Sequence, residues 1–350
     1  MILRTCTKVN VGLNVLRRRP DGFHDIETLF VPYYGWADVL NVEPAAELSI
    51  EIERAEGVDW DPMDDLTVRA WRLLKADFPQ LPPVRIGLQK FAPVGAGLGG
   101  GSADAAFMLR ALNEIGELGL SDAVLASYAA RLGSDCAFFV GLTPAKNIPL
   151  RPQGTEGRAP QTPPVADASF YCRPMFATGR GEVLEPFDID LSGYELRVEI
   201  PLGPDGKPVA VSTREAYGGI VPRDRWRWLD CSSGSVRKGQ SRQDTAAAGL
   251  EAPARNGQGL PGAAGTASIT ESPSAVILSE QSESKNLLPL REALKLPVEQ
   301  WRGRVVNDFE ATVCPRHPEI PALIADFYSR GASYAAMSGS GSSVFGLFRK

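Results

Sequence analysis

Pro93 to Ala106 reads PVGAGLGGGSADAA, with four glycines in the five positions from Gly97 to Gly101 and an alanine-rich stretch behind them. Apolar residues alternate through Val84 to Leu88 ahead of the cluster, which predicts a strand, and Ala103 to Ile115 predicts a helix after it. Glycines between a strand and a helix free the backbone N–H groups to converge on an anion, with the positive end of the helix dipole behind them. Three phosphate-binding loops share that outline. Gly95, Gly97 and Gly100 satisfy the dinucleotide pattern G-x-G-x-x-G, but Pro93 stands where such a strand runs straight into its turn. The P-loop pattern G-x-x-x-x-G-K-[ST] fails over Gly95 to Ser102, because Gly101 occupies the lysine position. The third reading is a cradle for phosphate oxygens made of backbone N–H groups alone. Ser102 adds a hydroxyl at the helix start, as a cap or as a phosphate or magnesium contact. The competing reading is a linker or a tightly packed helix entrance.

Outward from the loop the chain mixes strands and helices without a regular βαβ alternation, which points to an α+β fold. Leu3 to Leu16 reads as a strand broken at Asn10 and Gly12; Leu29 to Tyr34 and Asp38 to Glu53 read as further strand. Leu66, Ala70, Leu73 and Leu74 have helical spacing, and Asp122 to Leu132 is a second helix capped by Ser121 and ended by Gly133. On the far side, Tyr194 to Ile200 and Pro208 to Ser212 read as strands and Thr213 to Tyr217 as a short helix. Pro289 to Leu296 and Asn307 to Arg330 read as helix, the latter interrupted by Pro315, Pro318 and Pro321. Strands at Ser333 to Met337 and Val344 to Phe348 frame a second small-residue loop, SGSGSS at Ser338 to Ser343.

Two stretches interrupt this order. Residues 142–169 are crowded with proline and polar residues, and 230–286 are rich in Ser, Gly, Ala and Gln, with no aromatic between Trp228 and Trp301. Such composition buries too little apolar surface to offset its ordering entropy, so the second reads as disordered and the first as a mobile stretch or a long ordered loop. About 260 residues remain, enough for two compact domains. The expected division is 1–141, then 170–350 with 230–286 inserted in it.

Among the 350 residues 43% are hydrophobic and 23% charged, and the formal net charge is −5. That balance disfavours nucleic acid and an anionic membrane as partners and favours a small-molecule substrate. Five scattered cysteines, none in C-x-x-C spacing, argue against a disulfide framework or a zinc site. There is no secretory leader pattern and no run of eighteen apolar residues, so a cytoplasmic protein is expected.

The loop resembles the second motif of the GHMP kinases, the family of galactokinase, homoserine kinase and mevalonate kinase. TKVNVGLNVLRRRPDGFHDIETLF from Thr7, LGSDCAFFV from Leu132, ATGRGEVL from Ala177, NDFE from Asn307 and MSGSGSSVFGLF from Met337 resemble, in order, those members that phosphorylate an alcohol bearing a cytidine diphosphate. The resemblance implies an α+β, two-domain kinase, with an N-terminal domain shared with a ribosomal protein and a ferredoxin-like C-terminal domain. It implies ATP and Mg2+ as cofactors, a small-molecule acceptor and a monomer or homodimer. It assigns ATP to Pro93, Val94, Gly95, Ala96, Gly97, Leu98, Gly99, Gly100, Gly101, Ser102 and Ala103, with Asp65 on the adenine side where the family carries asparagine. Mg2+ would be held mainly through ATP phosphates, with Ser102 as an additional contact.

Asp135 follows the glycine stop of a helix, where a plain N-cap is the bland alternative; the resemblance makes it the base that takes the hydroxyl proton. Lys8 lies between apolar strand positions, where an exposed edge lysine is the bland alternative; the resemblance pairs it with Asp135 to offset the developing alkoxide. Asn10 would orient the same group. Phe23 and His24 would read the cytidine end by stacking and hydrogen bonding, with phenylalanine where the family carries tyrosine. Val211, Ser212 and Thr213 match a segment along the substrate cleft. Two other classes stay open: another GHMP kinase, of the homoserine or mevalonate type, and a nucleotide sensor without catalysis.

Overall fold

The computed structural model describes residues 1–53, 59–141, 173–223 and 288–350. Both expected insertions, 142–169 and 230–286, lie outside the described residues.

Three sheets carry the described chain. The first joins β1 (Ile2–Arg4), β4 (Val39–Pro44), β6 (Val84–Gln89) and β5 (Ser49–Glu53) in that order. Its pairs are antiparallel except β5 with β6, which run parallel because helix α1 (Leu66–Asp77) lies between them in the chain. The second sheet is antiparallel, with the order β2 (Thr7–Arg18), β3 (His24–Tyr33), β7 (Met175–Thr178), β8 (Val183–Pro186). The third places β11 (Val344–Arg349) between β10 (Ala332–Met337) and β9 (Tyr194–Glu199).

Against the first sheet pack α1, α2 (Gly100–Ile115) and α3 (Asp122–Leu132). The alanines of α2 have a packing reason: Ala103, Ala105, Ala106 and Ala111 are fully buried, so α2 is a central helix whose small side chains admit close neighbours. A short helix, α4 (Cys136–Val140), packs against α2 and α3. The C-terminal sheet is covered by α8 (Glu319–Ser329), with α5 (Thr213–Tyr217), α6 (Leu290–Ala293) and α7 (Glu310–Val313) as single turns around it.

Several expectations shift. Asn10 and Gly12 do not break the first strand. Gly12, at φ +70, forms a bulge between Val11 and Leu13, and β2 continues to Arg18. A side chain there would meet Leu290 Cδ1 at 2.5 Å, so only glycine lets the C-terminal half approach. Beyond the bulge Leu13 N donates to Val306 O at 2.8 Å and Leu13 O accepts from Asp308 N at 2.8 Å, tying the halves together. Helix α2 begins at Gly100, three residues before the predicted start, because the last glycines have already turned into it. Pro208 to Ser212 forms no strand; Pro208 makes only an isolated bridge with Leu202. The helix expected over Asn307 to Arg330 is two helices, divided around Pro315 and Pro318. The first segment after 170 pairs β7 with β3, so the second sheet draws strands from both sides of the expected 142–169 boundary.

Candidate active site

A cleft of about 560 Å³ opens where the glycine loop, the β2 strand, the turn before α4, the β7–β8 turn and α5 converge. Pro93 to Ser102 all line it, as do Lys8, Asn10, Asp65, Asp135, Val211, Ser212 and Thr213. Ala103 does not; it is fully buried beneath the loop.

Gly95, Gly97 and Gly99 have φ of +69, +75 and +72, a backbone that residues with a Cβ rarely adopt. At Gly97 a Cβ would stand 2.4 Å from Ser338 O, so the SGSGSS loop can close directly on the cradle. Gly99 is the N-cap of α2 and supplies no side-chain cap, which leaves the first-turn N–H groups of α2 to a ligand. Ser102 is therefore not the cap but a residue inside the first turn, with its hydroxyl beside the Cys136 thiol.

Lys8 reaches the cleft from β2, with only 3% of its side chain exposed. Its ammonium lies 3.3 Å from Asp135 Oδ2, donates to Gly97 O at 2.9 Å and to Asn10 Oδ1, and sits over the Phe30 ring. Two hydrogen bonds and the ion pair thus hold the charge in place. Asp135 keeps 29% of its side chain exposed and occupies the N-cap position of α4 without making a cap hydrogen bond. Its nearest donors are Lys8 and the Ser134 hydroxyl, at 3.3 Å each, so a carboxylate oxygen remains available to a ligand hydroxyl. Asn10 is 2% exposed: it accepts from Lys8 and donates to Thr28 Oγ1 at 3.1 Å, so its side chain orients Lys8.

Ser338 joins three of these parts, its Oγ accepting from Asn10 N at 3.1 Å and donating to Gly97 O at 3.3 Å. Ser343 Oγ donates to Ala96 O at 2.6 Å. The loop is held from behind by NDFE. Asn307 Nδ2 donates to Met337 O and Gly339 O, both at 2.8 Å, and Glu310 Oε1 accepts from Met337 N at 2.8 Å. Asp308 takes Val15 N and a two-pronged contact from Arg223. Burial pushes the Glu310 carboxyl up to about 7.

The remaining expected residues are placed differently. Asp65 caps α1: Oδ1 accepts from Thr67 N and Thr67 Oγ1, and Oδ2 from Trp60 Nε1 at 3.2 Å. Ser212 caps α5 through Glu215 N. Phe23 is 54% exposed and carries the Arg180 guanidinium over its ring at 5.1 Å. His24 stacks on Tyr217, ring centroids 4.7 Å apart, and burial lowers its affinity for a proton. Neither Phe23 nor His24 lines the cleft; Tyr217 does, joined by Arg180, Trp60, Lys90 and Phe309, none of which was singled out from the sequence. Arg180 stood inside the ATGRGEVL segment and Tyr217 inside the short helix, but residue type alone did not distinguish them.

The family models for the GHMP kinases N terminal domain and the GHMP kinases C terminal match residues 65–141 and 290–350. The chain is 35% identical to a Bacteroides fragilis protein named 4-diphosphocytidyl-2-C-methyl-D-erythritol kinase, over 99% of this chain and 92% of that one. A crystal structure of a 4-(cytidine 5'-diphospho)-2C-methyl-D-erythritol kinase superposes with a TM-score of 0.57 at 26% identity, covering 99% of this chain and 90% of that chain. A homoserine kinase from Cytophaga hutchinsonii superposes with a TM-score of 0.51 at 13% identity, covering 100% and 85%, a likeness of fold alone.

Proposed function

The chain belongs to the GHMP kinases, and from that premise we propose that it transfers a phosphoryl group from ATP to 4-diphosphocytidyl-2-C-methyl-D-erythritol, at the 2-hydroxyl. The product is the 2-phosphate with ADP, an intermediate step in making isoprenoid precursors by the non-mevalonate route. The observation that carries this reading is the meeting of Lys8 and Asp135, 3.3 Å apart, across from an uncapped helix N-terminus and its glycine cradle.

Phosphoryl transfer asks the protein chiefly for position and charge. The N–H groups of the cradle and of the first turn of α2 bind the donor's phosphate oxygens, and their dipoles face the charge that grows there. Asp135 accepts the hydroxyl proton as the oxygen attacks. Lys8, immobilised by Asn10 and Gly97, neutralises the oxyanion without reorganising. Val211, Ser212, Thr213 and Tyr217 form the opposite wall, where the acceptor lies. His24 is held flat against Tyr217, a pre-stacked pair at the rim on which a pyrimidine extends the stack.

Magnesium fits the donor end, where the Ser102 hydroxyl lines the cleft beside the cradle. Ser102 would hold the ion together with the donor's phosphates, and the ion would neutralise part of their charge. We place the enzyme in the cytoplasm as a monomer or homodimer. Among the described residues no helix is long and apolar enough to cross a membrane. A sensor without catalysis would have no use for a partly exposed carboxylate beside a buried ammonium at the cradle.

The test is ATP-dependent phosphorylation by the full chain, with the diphosphocytidyl alcohol, homoserine and mevalonate offered separately. Turnover of the first alone is expected. Turnover of mevalonate or homoserine with none of the diphosphocytidyl alcohol would overturn the assignment.

A further inference from the structure

Resting on that reading of the acceptor, we propose that Arg180 is the residue through which the cleft recognises the acceptor's diphosphate. The reaction brings together two polyphosphates, and the donor's is met by backbone N–H groups and the α2 dipole. The acceptor's diphosphate needs a cation of its own. Among the described residues three cationic side chains line the cleft: Lys8, Lys90 and Arg180. Lys8 is spent on Asn10, Gly97 and Asp135. Lys90 is 7% exposed and lies between Asp38 and Asp104.

Arg180 differs from both. Its side chain is 31% exposed, and its one ion pair, Nε to Glu182 Oε1 at 3.3 Å, leaves both terminal nitrogens without a hydrogen bond among the described residues. Those nitrogens carry four N–H donors in a planar fork, the geometry that grips two phosphate oxygens at once.

The guanidinium is also held in place. It lies 5.1 Å from the centroid of the Phe23 ring, and the β7–β8 turn that carries it is tied down on both sides. Ile26 N donates to Gly179 O at 2.7 Å, Gly181 N to Thr178 O at 3.1 Å, and Arg180 N to Glu182 Oε2 at 2.6 Å. A side chain on Gly181 would stand 3.8 Å from Asp135 Oδ1, so the turn passes directly beside the base. Arg180 therefore reaches over Phe23 from a turn that passes beside Asp135, the course that the diphosphate of a cytidine-bearing alcohol would follow away from the reacting hydroxyl. Phe23 acquires a role its sequence did not disclose, as the platform for the arginine.

Steady-state kinetics of Arg180→Gln and Arg180→Lys, with each substrate varied in turn, test the assignment. Arg180→Gln should raise KM for the acceptor roughly ten- to hundredfold, the worth of charge-assisted hydrogen bonds, while KM for ATP stays within about threefold. Arg180→Lys should fall between. Calorimetric titration with CDP and with cytidine separates recognition from folding: the variant should lose CDP affinity and keep cytidine affinity, whereas a merely structural role would weaken both. An unchanged acceptor KM, or a rise in the KM for ATP instead, would overturn the proposal. If the wild-type chain does not turn over the acceptor, the functional reading fails, and the difference between CDP and cytidine still decides whether Arg180 reads a diphosphate.

Discussion

Adjacent glycines of the loop rest on two lysine and aspartate groupings that look alike in sequence and differ in kind. Gly99 packs on the Lys8 stem, and Gly100 lies over Asp38 and Lys90. In the first grouping the carboxylate of Asp135 keeps 29% of its side chain exposed and borrows only weak contacts from the protein. In the second, Asp38 is wholly buried: one oxygen accepts from Phe91 N at 2.6 Å and Ala92 N at 2.7 Å, and the other faces Lys90. Asp104, also against Lys90 at 2.7 Å, is buried with one oxygen lacking a partner among the described residues. A lysine beside an aspartate is thus open to a ligand when the acid faces the cleft, and scaffold when backbone and burial consume it.

Substitutions that exchange the expected behaviour of the two groupings would break this contrast. The largest effect belongs to Asp135→Asn, which keeps the shape and removes the base: kcat should fall about a thousandfold while ATP binding, followed by calorimetry, is retained. Because Asn keeps an acceptor facing Lys8, which also holds Asn10 and Gly97 O, the melting temperature should move little. Unchanged turnover would remove Asp135 from the mechanism.

Lys90→Met should do the reverse. It strands the buried Asp38 carboxylate, at a cost of about 3 to 5 kcal/mol in urea unfolding, and activity should fall only as far as the folded fraction does. A stable Lys90→Met chain would show that the second grouping is not a scaffold.

Asp104 sharpens the contrast through pH. Burial, opposed by Lys90, pushes its carboxyl up to about 8 from the ordinary 3.8. In that window the folded chain holds a proton that the unfolded chain has released. Its contribution to stability is therefore complete below about pH 4 and is lost as pH rises through about 8. Asp104→Asn should flatten that limb of the melting temperature against pH; an unchanged profile would place the proton elsewhere.

The smallest effect concerns Asp65, which shares the cleft wall but spends its carboxylate on a cap. Asp65→Ala should cost about 1 kcal/mol of stability, and KM for ATP should stay within a few-fold. A large rise in that KM would restore the adenine contact expected from sequence.

Much of the site could be read before any fold was known, because its parts are local. The cradle needs positive φ at closely spaced positions, and only glycine supplies that cheaply, so its chemistry is written in composition. Asp135 and Lys8 were legible through the motifs around them. Arg180 and Tyr217 were not, since neither residue type nor spacing separates an arginine held on an exposed ring from any surface arginine. Asn10 was legible as a site residue but not in its task, which is to hold Lys8. Pro208 to Ser212 reads as strand by its valines, yet the segment lines the cleft instead of pairing.

By itself the sequence determined an α+β kinase with a glycine-rich loop of positive φ and pointed to Asp135 and Lys8 as the proposed base and its cation, because glycine conformation, helix periodicity and motif chemistry act over a few residues. Tertiary structure alone decided which of two lysine and aspartate groupings stays open to a ligand, and which cation keeps its donors free. Burial and hydrogen-bond partners come from strands and turns far apart in the chain. Asp38 meets Lys90 across 52 positions and Ser338 meets Gly97 across 241, and no local pattern encodes such meetings.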